Sequence, residues 1–394
     1  MSEACTDRGT AIHPDVIRLG VVSLLTDVSS EMIFSVFAVF FTTIAGASAA
    51  LLGAVEGLAD LSACSLDYLA GWLSDHTGRR KSLALCGYGC STAAKAILLI
   101  ANSVPALGAF RVIERLGKSF RGPPRDAWLA AVAGQGVRGY SFGVHKALDK
   151  SGAVLGPLMA YGLLVWLGET VATYRVLFRL AVIPAFLGVV LLASMPERPG
   201  ARHGHERFFE AWRILSAGFK RYLVAAAVFS LGYFSFGFLL LRAHEVGFSA
   251  RQIVLLYALF NVVFVIAAPA VGKLGDLSGR TGVVVASYLI YLLMSLGFAV
   301  ATARWHIVAL FMAYGAFLAI DEAQSRAFIA DLEPQRRATA IGVYNFLTGG
   351  FYLLASLGAG VLWAVRPGLV FIFAASTSAA AVLTLLSMRP ATTR

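Results

Sequence analysis

Charged residues recur at helical spacing inside stretches of the chain that are otherwise apolar. Asp27 and Glu31 are four residues apart in one stretch, and Arg111, Arg115 and Lys118 follow a similar spacing in another. Residues three or four apart share one face of a helix, so each set forms a charged stripe. Such carboxylates can bind and release protons, and such cations can hold an anion or pair with the acids.

These charges stand out because the rest of the chain is very apolar. Of its 394 residues, 58% are hydrophobic and 14% are charged, with a mean hydropathy of +0.75. Soluble domains carry about 25% charged residues, because their surface must be polar. The composition therefore predicts an integral membrane protein. It also favours reading the net charge of +11 as basic residues held on one side of a bilayer, and not as a nucleic-acid surface.

Apolar segments long enough to cross a bilayer, about 20 residues each, are predicted along the whole chain. We predict twelve: 17–42, 48–73, 82–103, 105–130, 139–168, 172–195, 221–242, 250–273, 282–302, 304–330, 338–364 and 367–388. Lysine and arginine concentrate after the even-numbered segments, which the positive-inside rule assigns, with both termini, to the cytoplasm. The predicted parts are an N-terminal tail (1–16), a six-helix bundle (17–195), a cytoplasmic linker (196–220), a second six-helix bundle (221–388) and a C-terminal tail (389–394).

A short tract after the second segment occurs again after the eighth. The first copy holds Gly71, Asp75, Gly78 and Arg79, and the second holds Gly272, Asp276, Gly279 and Arg280, at a constant offset of 201 residues (272 − 71). A second match, of Arg138, Gly143 and Val144 with Arg337, Gly342 and Val343, has an offset of 199 (337 − 138). This regularity predicts two similar halves with the same topology.

The first tract resembles the signature loop of the major facilitator superfamily, and the second is a degenerate copy of it. Gly152, Gly156 and Pro157 in the fifth segment resemble a motif of that superfamily's antiporters, and Arg111 lies where its members often have an intramembrane arginine. The resemblance covers the whole chain. It implies an all-α membrane fold of two six-helix bundles that transports by alternating access, and a network of the signature loop that stabilises the outward-facing state.

The resemblance also implies the class of function. We expect a secondary transporter, not an enzyme, that needs no cofactor because an ion gradient, here of protons, drives it. The leading hypothesis is proton-coupled efflux of a small organic compound, such as a drug or metabolite, by a monomer in a bacterial inner membrane. Its partners are then its solute and the lipid bilayer. The alternatives are proton-coupled uptake of an anionic solute, such as an organic acid or siderophore, and a receptor that has lost transport.

The candidate functional residues follow from these hypotheses. The candidates for proton coupling are Asp27, Glu31, Glu114 and Asp149. The candidates for binding the solute are Arg111, Arg115, Lys118, Lys150 and Asn345. The candidates for a cytoplasmic gate are Gly71, Asp75, Gly78, Arg79, Arg80, Asp126, Gly272, Asp276, Gly279, Arg280, Asp321 and Glu322. No spacing typical of a metal site is present, and static buried ion pairs remain the alternative for each intramembrane charge.

Overall fold

The computed structural model describes residues 13–100, 103–132, 138–197, 215–278, 280–333 and 337–387. These residues form helices joined by short connections, with no β-strand among them. The helices are α1 (Pro14–Val39), α2 (Ala49–Thr77), α3 (Arg80–Ile100), α4 (Val104–Val132), α5 (Arg138–Leu167), α6 (Val171–Ser194), α7 (Ala217–Ser230), α8 (Gly237–Glu245), α9 (Ala250–Ser278), α10 (Arg280–Val300), α11 (Arg304–Leu332), α12 (Arg337–Val365) and α13 (Pro367–Ser387). A π-helical turn, Phe40–Ile44, extends α1.

Ten helices in the described part of the chain are long and apolar enough to cross a membrane. Helix α4 is not among them, although it has 29 residues, because it carries many charges. Helices α7 and α8 are not among them because they are short, with 14 and 9 residues. The prediction of a multi-helix membrane protein is confirmed at this level.

The seventh predicted segment, 221–242, is wrong as a single helix, because the chain leaves the helix between Ser230 and Gly237. A side chain on Gly232 would collide with Thr377 and Ala374 of α13, so glycine allows a close approach of the two backbones there. The freed backbone groups find partners: the Tyr291 hydroxyl donates to the Gly232 carbonyl at 2.9 Å. Such partners are what a broken helix inside a membrane protein requires.

Neighbouring helices pack through glycine. Side chains on Gly152 and Gly156 of α5 would lie 2.6 Å from the carbonyl oxygens of Leu24 and Val28 on α1, so these two backbones are in close approach. The motif at Gly152, Gly156 and Pro157 therefore brings α5 against α1, the pair with the most extensive contact in the first half. This packing fixes the relative position of the charges that both helices carry.

The helices form two groups, α1–α6 and α7–α13, which meet mainly through α2 against α12 and α5 against α9. We call the end of the bundle where α1 begins the lower end, and the opposite one the upper end. The α2–α12 contact runs from Ala50 beside Gly360, at the upper end, to Cys64 beside Gly349, near mid-height.

Candidate functional site

A cavity of about 570 Å³ lies between the two groups of helices. It begins below Phe34 and Phe236 and reaches down to Arg125 and Glu322, about two to three helical turns from the lower ends of α4 and α11. All nine residues predicted to couple protons or bind solute line it: Asp27, Glu31, Glu114, Asp149, Arg111, Arg115, Lys118, Lys150 and Asn345. The stripes on α1 and α4 thus face the same space.

The upper part of the charged wall consists of ion pairs between α2 and α4. Arg111 binds Glu56 through two bonds, Nε to Oε1 at 2.7 Å and Nη2 to Oε2 at 2.9 Å. Its third nitrogen lies 3.4 Å from Glu114, and its guanidinium lies over the Phe34 ring. One turn lower, Arg115 donates to Asp60 at 3.1 Å. The predicted solute-binding arginines are therefore already neutralised by carboxylates of their own half.

Lys118 lies between two of the predicted coupling acids. Its Nζ is 3.5 Å from Asp27 and 3.7 Å from Glu31. Asp27 has a second cation nearby, the buried Arg121, whose Nη2 lies at 3.4 Å. Glu31 instead accepts a hydrogen bond from the hydroxyl of Tyr257 on α9, in the other half. The distances to Lys118 and Arg121 are longer than those between Arg111 and Glu56, so the ion pairs of Asp27 and Glu31 are looser than that pair.

The lower part of the charged wall is built by α4 and α5. Asp149 lies 3.3 Å from Lys146 and 3.8 Å from Arg125. Asp126, a candidate for the cytoplasmic gate, lies 2.9 Å from the neighbouring Arg125. Arg125 also donates to Ser23 of α1 at 3.1 Å, so it connects α1, α4 and α5.

The opposite wall, from the second half, is aromatic. Phe236 lies against Tyr257, Phe260 and Tyr314, with ring centroids 4.7–5.3 Å apart. Tyr233 and Tyr352 continue this wall downwards, 5.0 Å apart. Edge-to-face and tilted arrangements of this kind are favourable ring contacts. The wall offers ring faces and phenol hydroxyls to a solute. The other polar residues of the second half that line the cavity are Ser235, Asn261, Glu322 and Asn345.

Several bonds cross from one half to the other above the cavity or at its height. Besides Tyr257 to Glu31, the Ser235 hydroxyl donates to Glu56 at 3.4 Å. Lys150 on α5 lies over the ring of Phe264 on α9, 4.3 Å from its centre. At the upper end, the carboxylate of Glu169 accepts from the backbone nitrogen of Ala250, the first residue of α9, at 3.1 Å.

The signature loop is described only in part. Gly78 ends α2 with a left-handed backbone (φ 68°), a conformation that glycine adopts readily, and Gly71 approaches Pro123 of α4. Arg79 is exposed and Arg80 is half-buried. Gly279 and the side chains of Asp75, Asp276 and Arg280 lie outside the described part, as do the surroundings of Gly272. Of the other gate candidates, Asp321 accepts from Ser325 at 3.1 Å and Glu322 lines the cavity.

Arg121 and Arg125 also line the cavity and were not predicted as site residues. Both continue the stripe of Arg111, at intervals of ten and fourteen residues, so the helical period was a usable signal. The intervening Pro123 and Pro124 are residues that usually end a helix, yet α4 continues to Val132. Lys95, also outside the candidate set, is buried behind the charged wall.

This arrangement, two groups of helices around a charged and aromatic central cavity, defines a membrane transport protein. Comparison with known proteins specifies the family. The model of the Major Facilitator Superfamily matches residues 19–242 and 222–394, so the chain belongs to that superfamily. It is a multi-pass membrane transporter and not an enzyme, and its transport is of the secondary kind.

Individual relatives and solved structures are consistent with membership of this superfamily. An uncharacterized MFS-type transporter of Methanocaldococcus jannaschii is 30% identical over 369 residues, covering 92% of each chain. Among solved structures, a mutant of the nucleoside transporter NupG superposes with a TM-score of 0.79 at 14% identity, covering 94% of this chain and 99% of that one. A D-xylose-proton symporter superposes with a TM-score of 0.73 at 17% identity, covering 95% and 97%. At these identities the two structures share the fold with this chain.

Proposed function

We propose that the chain is a proton-coupled exporter of small amphiphilic organic cations or neutral compounds. It works as a monomer with twelve membrane segments, the seventh being the broken α7–α8 pair, in the inner membrane of a prokaryote. The lower end is cytoplasmic, because lysine and arginine concentrate there, as in Arg79 to Lys81 and in the 196–220 linker. The structure is then inward-facing, closed at the upper end, and a proton gradient replaces any cofactor.

The observation that carries this proposal is the position of Glu31. Its carboxylate lies beside Lys118 of its own half and accepts a hydrogen bond from Tyr257 of the other half. A proton on Glu31 would weaken its attraction to Lys118 and change the bond to Tyr257. Occupancy by a proton is thereby linked to the contact between the halves, which is what coupling requires.

The charge that we propose for the solute follows from the pairing of the cations in the cavity. Arg111, Arg115 and Lys118 each have a carboxylate within 3.7 Å, so an incoming anion would have to compete with a resident acid. A cationic solute would compete with the proton for Asp27 and Glu31, whose contacts with Lys118 and Arg121, at 3.4–3.7 Å, are longer than the bonds between Arg111 and Glu56. A neutral solute needs no unpaired charge. The aromatic wall favours a solute with an apolar body, since cations and apolar groups both bind ring faces.

A dye-based flux assay tests this function. Purified protein in liposomes with an internal pH dye is challenged in turn with lipophilic cations, neutral amphiphiles and organic anions. We expect a cation or neutral compound to move protons in the opposite direction, and Glu31→Gln and Asp27→Asn to abolish this movement. Glu245→Gln, at the upper end outside the cavity, is the matched control and should retain it. Full proton movement in both Glu31→Gln and Asp27→Asn would refute the assignment.

Uptake of an anionic solute is the second candidate, and one observation favours it. If Asp27 and Glu31 are both protonated, Lys118 loses its two nearest carboxylates and becomes available to an anion in the cavity. Proton movement in the same direction as an organic anion, lost in Lys118→Met but retained in Lys220→Met, would establish this symport in place of export.

A further inference from the structure

Lys95 is a cation with no accessible surface, located on α3 behind the wall of the cavity. Its Nζ donates to the hydroxyls of Ser29 at 2.7 Å and Ser30 at 3.1 Å, both on α1. It is not among the residues that line the cavity. A buried ammonium is costly unless neighbouring groups compensate its charge, so we expect an opposite charge connected to Lys95.

That charge is reached through Ser30. The Ser30 hydroxyl accepts from Lys95 and donates to Oε1 of Glu114 at 2.9 Å. The other oxygen of Glu114 lies 3.4 Å from Arg111, which binds Glu56 through two bonds. Glu56 finally accepts from Ser235 of the second half. We call this series, Lys95–Ser30–Glu114–Arg111–Glu56–Ser235, the Lys95 chain.

The Lys95 chain is electrically balanced and buried throughout. Its four ionised side chains alternate in sign, and each is at most 6% exposed. Balance matters because removing one partner of a buried ionic set leaves an uncompensated charge. Without Lys95, the remaining Glu114, Arg111 and Glu56 would carry a net negative charge, and Arg111 would be drawn from Glu56 towards Glu114.

The far end of the Lys95 chain lies in the break between α7 and α8, at the top of the cavity and below α8. The backbone nitrogen of Ser235 donates to Ser356 of α12 at 3.1 Å, and its hydroxyl accepts from the backbone of Gly237 at 3.2 Å while donating to Glu56. A side chain on Gly53 of α2 would collide with the Ser356 carbonyl, so the halves are in backbone contact at the same place. Opening the upper end must separate Glu56 from Ser235.

We propose that Lys95 is a positioning residue for the upper closure: through Ser30 and Glu114 it keeps Arg111 on Glu56, and so keeps Glu56 in place to bind the break in the seventh segment. This inference rests on the alternating-access part of the proposed function. It does not depend on the identity of the solute or of the coupling ion. A charge buried in the first half thereby determines how firmly the two halves are held together at the upper end.

The test uses Cys64, a cysteine of the natural sequence that lines the cavity. In a background with Cys5, Cys86 and Cys90 replaced by alanine, a membrane-impermeant maleimide is added from either side of oriented vesicles. The labelling rate of Cys64 from the upper side, relative to the lower side, measures opening of the upper end. Neither solute nor a proton gradient is required, so an absence of flux would count against the proposed function without affecting this result.

We expect Lys95→Met to raise the upper-to-lower labelling ratio at least tenfold, because losing one partner of a buried ionic set is strongly destabilising. The double variant Lys95→Met/Glu114→Gln restores neutrality and should return the ratio towards its original value. Lys220→Met, at the start of α7, is the control for loss of a lysine and should leave the ratio unchanged. A folded Lys95→Met with an unchanged ratio, or a double variant as altered as the single one, overturns the inference.

If Lys95→Met does not fold, Ser30→Ala tests the same link without changing any charge. It removes the hydroxyl that joins Lys95 to Glu114, and we expect the ratio to rise at least threefold, because both hydrogen bonds of that hydroxyl are lost. A folded Ser30→Ala protein with an unchanged ratio would overturn the inference equally.

Discussion

The two halves of this transporter share a repeat but line the cavity with different chemistry. Tyr88 and Tyr288 occupy matching positions, 200 residues apart (288 − 88). Over the Tyr88 ring lies the guanidinium of Arg121, at 4.3 Å, whereas the Tyr288 ring stacks on Phe229, at 4.0 Å. The first half thus uses its interior for ion pairs and the second for aromatic contacts. In the proposed function, the first half handles protons and the second half supplies the aromatic surface for the apolar body of the solute.

The difference between the two halves has physical consequences. Ion pairs in a low-dielectric interior depend strongly on their partners, so the first half behaves as one connected electrostatic unit. Aromatic contacts are individually weaker and replaceable, so the second half can accept solutes of different shape. We therefore expect substitutions in the first half to affect stability and coupling, and those in the second to affect solute affinity.

The largest effect is expected for Arg111→Gln, which deprives both Glu56 and Glu114 of their shared cation. Breaking a buried ionic set costs about 3–5 kcal/mol, so we expect a lower melting temperature in detergent and no transport. The double variant Arg111→Gln/Glu56→Gln should recover part of the lost stability, because one of the two stranded carboxylates is neutralised. An unchanged melting temperature for Arg111→Gln would show that the pairs do not stabilise the first half.

Tyr257→Phe removes the hydrogen bond that joins the halves at Glu31. A bond to an ionised group contributes about 1.5–3 kcal/mol, so we expect upper-side labelling of Cys64 to rise tenfold or more. Tyr314→Phe is the matched control, because it removes a neighbouring phenol hydroxyl that is not hydrogen-bonded to Glu31. Equal labelling of Tyr257→Phe and the unaltered protein would exclude a contribution of this bond to the closure.

Phe236→Ala addresses the aromatic wall. The substitution removes the ring contacts by which Phe236 builds this wall, and each pair contributes about 0.5–1.5 kcal/mol. Because the wall then binds the solute less well, the solute concentration for half-maximal flux should rise roughly tenfold. The number of protons moved per solute should stay constant, because the charged wall is intact. Phe328→Ala, whose ring packs on Tyr222, is the control away from the cavity. A changed proton ratio in Phe236→Ala would argue against a division of labour between the halves.

The smallest effect is expected for Glu169→Gln, at the upper end. Its carboxylate accepts from the backbone nitrogens of Ala250 and Arg251, where α9 begins, and an acid at a helix N-terminus contributes about 0.3–1 kcal/mol. Upper-side labelling of Cys64 should therefore rise about threefold at low salt, and less at high salt because the contact is partly exposed. If Glu169→Gln and the unaltered protein are labelled equally at every salt concentration, this contact does not contribute to the closure.

The charged stripe of α4 shows how far the sequence predicts the site. The spacing of Arg111, Arg115 and Lys118 predicts one helical face, and the structure places all three on the cavity. Spacing does not identify partners, because Glu56 and Asp60 are about 55 residues away in sequence and reach the arginines only when α2 packs beside α4. Arg121 and Arg125 lie within the predicted segment 105–130 and continue the face of Arg111, so the helical period could have included them.

The sequence by itself determined that this chain resides in a membrane, that it has two similar halves and that charges share helix faces, because composition, repeat and period are properties of the chain alone. Only the tertiary structure decided which acid neutralises which cation, that the seventh segment breaks at Gly232, and that Lys95 is connected to the other half. The reason is that pairing and close backbone approach depend on contacts between segments far apart in sequence. Hydropathy and spacing are local and contain no information about those contacts.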